Sequence, residues 1–197
     1  MRGESEDIAG AVAALGGARR INVIGTSGTG KTTFSRSLAE VLGLPLQEMD
    51  RLYWLQDWTD PEEEVFLAKV REAVSGGRWV LDGNYNRTSD IKWASVECVV
   101  WLDYPFLTTL RQAVFRAFRR SLTQEEIWPG TGNRESFRKS FLSGDSIILW
   151  TLKTYRSNRE RYREAMAEAE GRRYRFIRIG SAAAAAEVLR HLRERGQ

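Results

Sequence analysis

Three kinds of residue are scarce in this chain of 197 residues, which has one cysteine, one histidine and four prolines. A single cysteine cannot form an internal disulfide, which fits a reducing compartment, and Cys98 lies in an apolar run where we expect it to be buried. No apolar run approaches the roughly 20 residues that span a bilayer, and the acidic N-terminus has no secretory pattern. We therefore expect a cytoplasmic protein with no membrane partner.

Charge is distributed unevenly along the chain, although the net charge is only +4. Residues 1–104 carry 11 Lys/Arg and 16 Asp/Glu, whereas residues 105–163 carry 12 and 5, a net of +7. A basic middle region is typical either of nucleic-acid binding or of a lid that closes over the phosphates of a small ligand. Composition leaves both alternatives open.

Hydrophobic periodicity predicts strands that alternate with helices. Because parallel strands need helical crossovers, this order predicts an α/β fold in which helices cover both faces of a parallel sheet. A short amphipathic helix at 8–15 precedes the first strand, and we expect it to be an appendage. The predicted strands are 21–24, 46–50, 79–81, 96–102 and 174–179; the predicted helices are 31–42, 61–74, 105–120, 135–143, 147–170 and 182–195.

A glycine-rich motif lies between the first strand and the following helix and fits Gly-x-x-x-x-Gly-Lys-Ser/Thr. In this motif the backbone N–H groups surround a phosphate, the lysine reaches the β- and γ-phosphates, and the hydroxyl that follows binds Mg²⁺. The sequence therefore predicts an ATP- and Mg²⁺-binding loop. The predicted nucleotide-binding residues are Gly25, Thr26, Ser27, Gly28, Thr29, Gly30, Lys31, Thr32 and Thr33.

Acidic side chains lie at the carboxyl ends of three of the predicted strands. Asp82 and Asp103 end the third and fourth strands, and either could hold Mg²⁺ beside Thr32. Glu48 and Asp50 are two residues apart on the predicted second strand, so both should point to the same side. At the carboxyl end of a parallel strand that side opens toward the substrate, where a carboxylate can accept a proton from a hydroxyl.

With these residues laid out, the chain resembles the small P-loop kinases of the adenylate, shikimate and gluconate kinase type over roughly residues 20–190. It looks most like bacterial adenylate-kinase-related proteins, some of which are described as DNA topology modulation proteins. Apart from the glycine loop, the matching segments are 49–54, 79–85, 101–105 and 132–135. The resemblance implies a kinase domain over 19–197, after the appendage at 1–18, with strand order 2-3-1-4-5. That order places the third strand beside the glycine loop and favours Asp82 for magnesium.

The acceptor remains open between a hydroxyl and a monophosphate. Adenylate kinases continue Leu-Asp-Gly with Phe-Pro-Arg, whereas this chain reads Asn84-Tyr85-Asn86-Arg87, with the arginine one position later. The Glu48/Asp50 pair looks like the Asp-x-Asp of shikimate kinases and slightly favours a hydroxyl. The predicted acceptor-binding residues are Glu48, Asp50, Tyr53, Trp54, Asn84, Tyr85 and Arg87.

A basic lid over about 119–141 should supply arginines to the transferred phosphoryl group. We expect Arg119 to bind the nucleotide, and Arg134 to act in catalysis together with Lys31 and Asp50. The leading prediction is an ATP- and Mg²⁺-dependent kinase of a small molecule, a nucleotide or a hydroxylated metabolite, acting as a monomer or homodimer. The alternative is a P-loop ATPase with a nucleic-acid-binding or regulatory role, although no DNA-binding motif is recognised.

Overall fold

A parallel five-stranded sheet forms the centre of the protein in a computed structural model, which describes residues 7–123, 126–127, 131–133 and 147–196. The strands are β1 (Arg20–Gly25), β2 (Leu46–Glu48), β3 (Trp79–Asp82), β4 (Cys98–Leu102) and β5 (Arg175–Ile179). Their order across the sheet is β2-β3-β1-β4-β5, and each neighbouring pair is parallel. The predicted fold class and strand order are confirmed.

Helices connect the strands on both faces. They are α1 (Ile8–Gly17), α2 (Lys31–Leu42), α3 (Met49–Tyr53), α4 (Glu63–Ser75), α5 (Ser89–Lys92), α6 (Phe106–Thr123), α7 (Ile147–Glu168) and α8 (Ala182–Arg195). The sequence analysis missed the short helices α3 and α5. The predicted helix at 135–143 lies outside the described residues. No helix in the described ranges is both long enough and apolar enough to cross a membrane.

Two hydrophobic clusters lie on opposite faces of the sheet. Along β4, Val99 and Trp101 pack on the side of α4 and α7, whereas Cys98, Val100 and Leu102 pack on the side of α1, α2 and α8. This alternation follows from the two-residue period of a strand, and burial on both faces explains the continuous apolar run. The burial predicted for Cys98 is confirmed, and burial raises the pKa of its thiol to about 11.

The N-terminal helix α1 contributes to this core. Its residues Ala11, Val12 and Leu15 are buried in the same cluster as Val188 and Leu192 of α8. Burial of these apolar side chains anchors α1 to the last helix of the chain. A boundary at residue 18 between an appendage and a kinase domain stays a prediction.

The second strand is shorter than the sequence suggested. β2 ends at Glu48 because its partner β3 ends at Asp82, where Glu48 pairs in register, and Gly83 then turns away with φ 140°. Without a further partner strand, the chain coils into α3, and Trp54 N–H donates to the carbonyl of Asp50 at 2.9 Å. The prediction of a strand through Asp50, with Glu48 and Asp50 on one side of it, is therefore wrong.

Candidate active site

The glycine loop joins β1 to α2, as predicted, and α6 packs closely against it. Gly25, Gly28 and Gly30 have φ values of 151°, 96° and 79°, which L side chains rarely adopt. A Cβ on Gly28 would lie 2.5 Å from the carbonyl oxygen of Thr109 and 3.0 Å from Cβ of Ala113. Glycine is thus required at position 28 both by backbone conformation and by the approach of α6.

Internal hydrogen bonds hold the loop closed. Thr29 donates to the carbonyl of Thr26 through both its N–H, at 3.2 Å, and its hydroxyl, at 2.9 Å. The ammonium group of Lys31 reaches the same carbonyl at 3.3 Å. Burial lowers the pKa of Lys31, while the charges of Asp82 and Asp50 oppose this shift. Both carboxylates therefore act on the lysine of the loop.

Thr32 and Asp82 meet as the predicted magnesium pair. The Thr32 hydroxyl donates to Oδ2 of Asp82 at 2.6 Å, whereas Oδ1 of Asp82 is buried without a hydrogen-bond partner among the described residues. Burial raises the pKa of the Asp82 carboxyl, and Lys31 opposes the rise. Carboxylate and hydroxyl oxygens are suitable for Mg²⁺, which takes few protein ligands beside substrate phosphates. Thr32 and Asp82 therefore fit Mg²⁺. Within the described ranges no group of three or more His, Cys, Asp or Glu could hold a metal ion.

Asp103, the competing candidate for magnesium, is engaged in ion pairs. Arg159 Nε lies 2.9 Å from Oδ1 of Asp103, and Arg178 Nε lies 2.9 Å from Oδ2. Strand order alone does not separate the two aspartates, since β3 and β4 both flank β1. The contact with Thr32 favours Asp82, and the two arginines make Asp103 a link between β4, β5 and α7.

Asp50 is exposed at the start of α3 beside an aromatic cluster. The Tyr85 hydroxyl donates to Oδ1 of Asp50 at 2.8 Å, and burial together with the Asp50 charge raises the pKa of Tyr85. Tyr53 lies 5.1 Å from Tyr85 and 4.9 Å from Trp54, measured between ring centroids. The exposed guanidinium of Arg87 lies 5.1 Å from the Tyr53 ring centroid. The structure thus brings four of the predicted acceptor-binding residues together around Asp50.

Glu48 and Asn84 are engaged elsewhere. Glu48 forms an ion pair with Arg36 of α2 at 2.7 Å, so its carboxylate already has a cationic partner. The side-chain amide of Asn84 accepts from Gly25 N–H at 2.9 Å and donates to Gly25 C=O at 2.8 Å. Asn84 therefore holds the start of the glycine loop, which is a different position from the predicted contact with the acceptor.

Of the remaining predicted residues, Thr33 and Arg119 are exposed on α2 and α6, respectively. Arg134 lies outside the described residues, as does most of the predicted lid at 119–141.

Comparison with known proteins gives similarity in structure only, because no family model and no curated protein matches the chain. A shikimate kinase from Acinetobacter baumannii, in complex with shikimate, has a TM-score of 0.54 at 20% identity, over 93% of this chain and 96% of that one. A shikimate kinase from Bacteroides thetaiotaomicron has a TM-score of 0.52 at 14% identity, over 90% and 97%. The chain has the fold of the small P-loop kinases. The closer resemblance to adenylate-kinase-related proteins stays a prediction.

Arg116 is a site residue that the predicted set did not include. Its Nη2 donates to the hydroxyl of Ser27 at 3.0 Å, and its charge contributes to the lowered pKa of Lys31. The sequence analysis placed the nucleotide-binding arginine at Arg119, but the face of α6 that reaches the loop also carries Ala113 and Ala117, which are buried. Arg116 lies three residues after the buried Ala113 and directly before the buried Ala117, and this position beside the buried face of α6 could have indicated it.

Lys92 is a second residue that the sequence analysis missed. Its side chain is fully buried, and its amine donates to the backbone carbonyl of Asn84, the residue that holds Gly25. Burial lowers the pKa of Lys92 to about 7. Lys92 stands between the apolar residues Ile91 and Trp93, but lysine is rarely fully buried, so the sequence does not mark its burial.

Proposed function

We propose that the protein is an ATP- and Mg²⁺-dependent kinase of a small molecule. The contact between Thr32 and Asp82 carries this proposal, because it places a buried carboxylate oxygen without a described partner beside the predicted phosphate loop. Thr32 and Asp82 would hold Mg²⁺, which supplies neutralisation of phosphate charge. The helix α2 begins at Lys31 and adds the positive end of its dipole to the same site.

Two cations serve the transferred phosphoryl group in this proposal. Lys31 and Arg116 both contact the loop, at Thr26 and Ser27, and phosphoryl transfer depends mainly on positioning and on neutralising the phosphoryl oxygens. Lys31 and Arg116 repel each other, and a polyphosphate that binds between them relieves this repulsion. The negative charge of the nucleotide thus complements the positive charge at the loop. Arg119 and Arg134 remain proposed contributions from the lid.

A hydroxyl is the acceptor that Asp50 suits best. Tyr85 occupies only Oδ1 of Asp50, and Asp50 has no ion-pair partner within the described ranges. Its second oxygen is thus available to an acceptor hydroxyl. The hydroxyl oxygen would attack the γ-phosphorus while its proton passes to Asp50, and the bond between that phosphorus and the leaving ADP oxygen would break. A monophosphate already carries an anionic nucleophile, which a carboxylate would repel.

The acceptor in this proposal also carries an anionic group. Arg87 is exposed and lies 5.1 Å from the ring centroids of both Tyr53 and Phe66. These rings hold the guanidinium in place, so less side-chain freedom is lost when it binds a carboxylate or phosphate. One of the two similar structures is a kinase in complex with shikimate, and this supports a small-molecule acceptor here.

A panel of acceptors tests the proposal. The panel contains hydroxy acids, sugars, nucleosides and nucleoside monophosphates, each with ATP and Mg²⁺, and the readout is ADP release. Lys31→Ala provides the matched blank. We expect a hydroxy acid or sugar with an anionic group to give the highest kcat/KM. If wild type and Lys31→Ala release ADP at the same rate with every acceptor, the proposed kinase function is refuted.

The nucleic-acid-binding ATPase remains a second candidate because of α6. This helix of 18 residues carries Arg111, Arg116, Arg119 and Arg120 and no acidic residue, and Arg111 and Arg119 are exposed. DNA binding whose affinity falls linearly in log[salt] would favour this candidate. Arg111→Gln should then reduce the slope of that plot, whereas it should leave phosphorylation of a small acceptor unchanged.

A further inference from the structure

Asn133 is a fully buried asparagine whose side chain reaches across to a loop distant in sequence. Its amide nitrogen donates to the carbonyl of Leu55 at 2.9 Å, and its amide oxygen accepts from Trp58 N–H at 2.8 Å. A buried amide that satisfies two backbone groups in another segment fixes the distance between the two segments. None of the functional roles described above uses these contacts.

The loop that Asn133 holds has an unfavourable backbone conformation. Asp57 and Trp58 are consecutive non-glycine residues with φ values of 55° and 60°, in the left-handed region. Such strain persists only where the surroundings impose it. Two contacts from the 131–133 segment impose it here: the Asn133 oxygen on Trp58 N–H, and the carbonyl of Thr131, which accepts from Asp57 N–H at 3.3 Å.

This loop continues into the aromatic side of the acceptor site. Trp58 lies 5.4 Å from Trp54, which lies 4.9 Å from Tyr53, and Tyr53 in turn lies 5.1 Å from Tyr85, the residue that donates to Asp50. Every step is a contact between neighbouring rings. A change in the backbone at Trp58 is therefore passed to the rings that surround the acceptor, whereas none of these contacts involves the glycine loop.

The 131–133 segment is itself held in place. Asn133 C=O accepts from Ile127 N–H at 2.9 Å, and Glu126 Oε1 accepts from Gly132 N–H at 2.6 Å. Gly132 has φ 69°, and a Cβ there would lie 3.9 Å from Oδ1 of Asp57, so the turn next to Asn133 lies directly against the strained loop. The asparagine thus projects from a supported turn.

We propose that Asn133 is a positioning residue for the acceptor site, which sets the shape of residues 55–58 and through it the aromatic rings that face Asp50. The effect on acceptor binding rests on the proposed kinase function, whereas the effect on the loop does not. Asn133 touches neither the acceptor nor the nucleotide in this proposal. It acts through Leu55 and Trp58.

The first test measures, without any substrate, how well the amides of the 55–58 loop are protected from hydrogen exchange. Amide hydrogen exchange, followed by NMR in the full chain, is compared at Trp58 and Asp57 in wild type and Asn133→Ala. Asn158→Ala is the matched control, because it is the same substitution on α7, where the exposed contact of Asn158 is a hydrogen bond accepted from Arg161. We expect exchange at Trp58 to accelerate by on the order of tenfold in Asn133→Ala, as loss of one net hydrogen bond predicts. Unchanged exchange at Trp58 would overturn the proposal.

The second test separates positioning from general destabilisation. In Asn133→Ala the KM for the acceptor should rise by on the order of tenfold, while the KM for ATP should stay at the wild-type value. Equal increases in both KM values would overturn the positioning role. If wild type phosphorylates no acceptor, the proposed function fails, and exchange at Trp58 still decides whether Asn133 holds the loop.

Asn133→Ser covers the case in which the alanine variant does not fold. The uncharged serine keeps a hydroxyl oxygen that can accept from Trp58 N–H, directly or through a water, but it loses the amide donor to Leu55 C=O. We expect Trp58 exchange closer to wild type than in Asn133→Ala, with an intermediate KM for the acceptor. Exchange at Trp58 as fast as in a denatured peptide, in an otherwise folded protein, would show that the oxygen contact does not protect this amide and would overturn the proposal.

Discussion

Replacement of Lys92 by methionine should change how the stability of the protein depends on pH. Lys92 is fully buried, and its amine donates to Asn84 C=O and lies 5.8 Å from the Trp93 ring centroid. A neutral amine can make the same hydrogen bond as an ammonium group. Methionine has a similar length and no charge, so Lys92→Met removes the titration while largely filling the space.

The sign and size of the effect follow from the two pKa values of Lys92. In the unfolded chain the amine keeps its ordinary pKa of 10.5, whereas burial lowers the pKa to about 7 in the folded protein. Between these values the unfolded state binds more protons, so the free energy of unfolding of wild type rises with pH relative to the variant. Below about pH 7 Lys92 is charged in both the folded and the unfolded protein, so the free-energy cost of burying its ammonium group fully lowers the stability. Between pH 7 and pH 9 the expected gain for wild type is about 2 kcal/mol.

Urea unfolding followed by circular dichroism at pH 7, 8 and 9 measures this difference. Other groups titrate equally in the two proteins, so they cancel in the comparison. Lys153→Met is the matched control, because Lys153 is exposed on α7, and its curve should run parallel to wild type. A constant difference between wild type and Lys92→Met from pH 7 to pH 9 would refute the reasoning, since it would show that Lys92 keeps its proton when folded.

Five further substitutions address the candidate active site and the competing aspartate Asp103. Lys31→Ala should lower kcat on the order of a hundredfold or more with the thermal unfolding temperature unchanged; wild-type turnover would contradict its role. Asp82→Asn should raise the Mg²⁺ concentration needed for half-maximal activity. Asp103→Asn should instead lower the free energy of unfolding by about 1 kcal/mol, because the buried carboxylate is lost from its ion pairs with two partly exposed arginines; reversed phenotypes would contradict the metal assignment. Asp50→Asn should cut kcat steeply with little change in ATP affinity, and full activity on nucleoside monophosphates in this variant would return Asp50 to a structural role. Arg116→Gln should weaken ATP binding by roughly tenfold, measured by calorimetry, and unchanged affinity would show that its contact with the loop is only structural.

The local pattern of the sequence was enough to predict the strands of the sheet and the position of the glycine loop. Short apolar runs bounded by turn residues mark buried strands, and every position of the glycine motif has a local conformational reason, as the φ values of Gly28 and Gly30 illustrate. The order of strands came from the resemblance, not from the pattern. It was correct, yet it did not by itself separate Asp82 from Asp103.

The parts that could not be predicted depend on tertiary contacts. β2 ends where β3 offers no further partner, and nothing within the segment around Asp50 shows where its neighbour stops. Lys92 is fully buried although lysine rarely is, because the fold brings its amine to the backbone carbonyl of Asn84. Arg116 contacts Ser27 because α6 approaches the glycine loop at Gly28, and this tertiary approach is not encoded in the local sequence of α6.

The pair Asn84-Tyr85 has a consequence for how the specificity of such a protein can change. One of these adjacent residues holds Gly25 at the nucleotide loop, and the next holds Asp50 at the acceptor side. In the proposed kinase, a single peptide unit therefore links the residue that holds the nucleotide loop to the residue that holds Asp50. If the proposed function holds, substitutions from Tyr85 onward would alter which molecule is phosphorylated while Asn84 keeps the nucleotide loop in place, so acceptor choice could change without a change in nucleotide use.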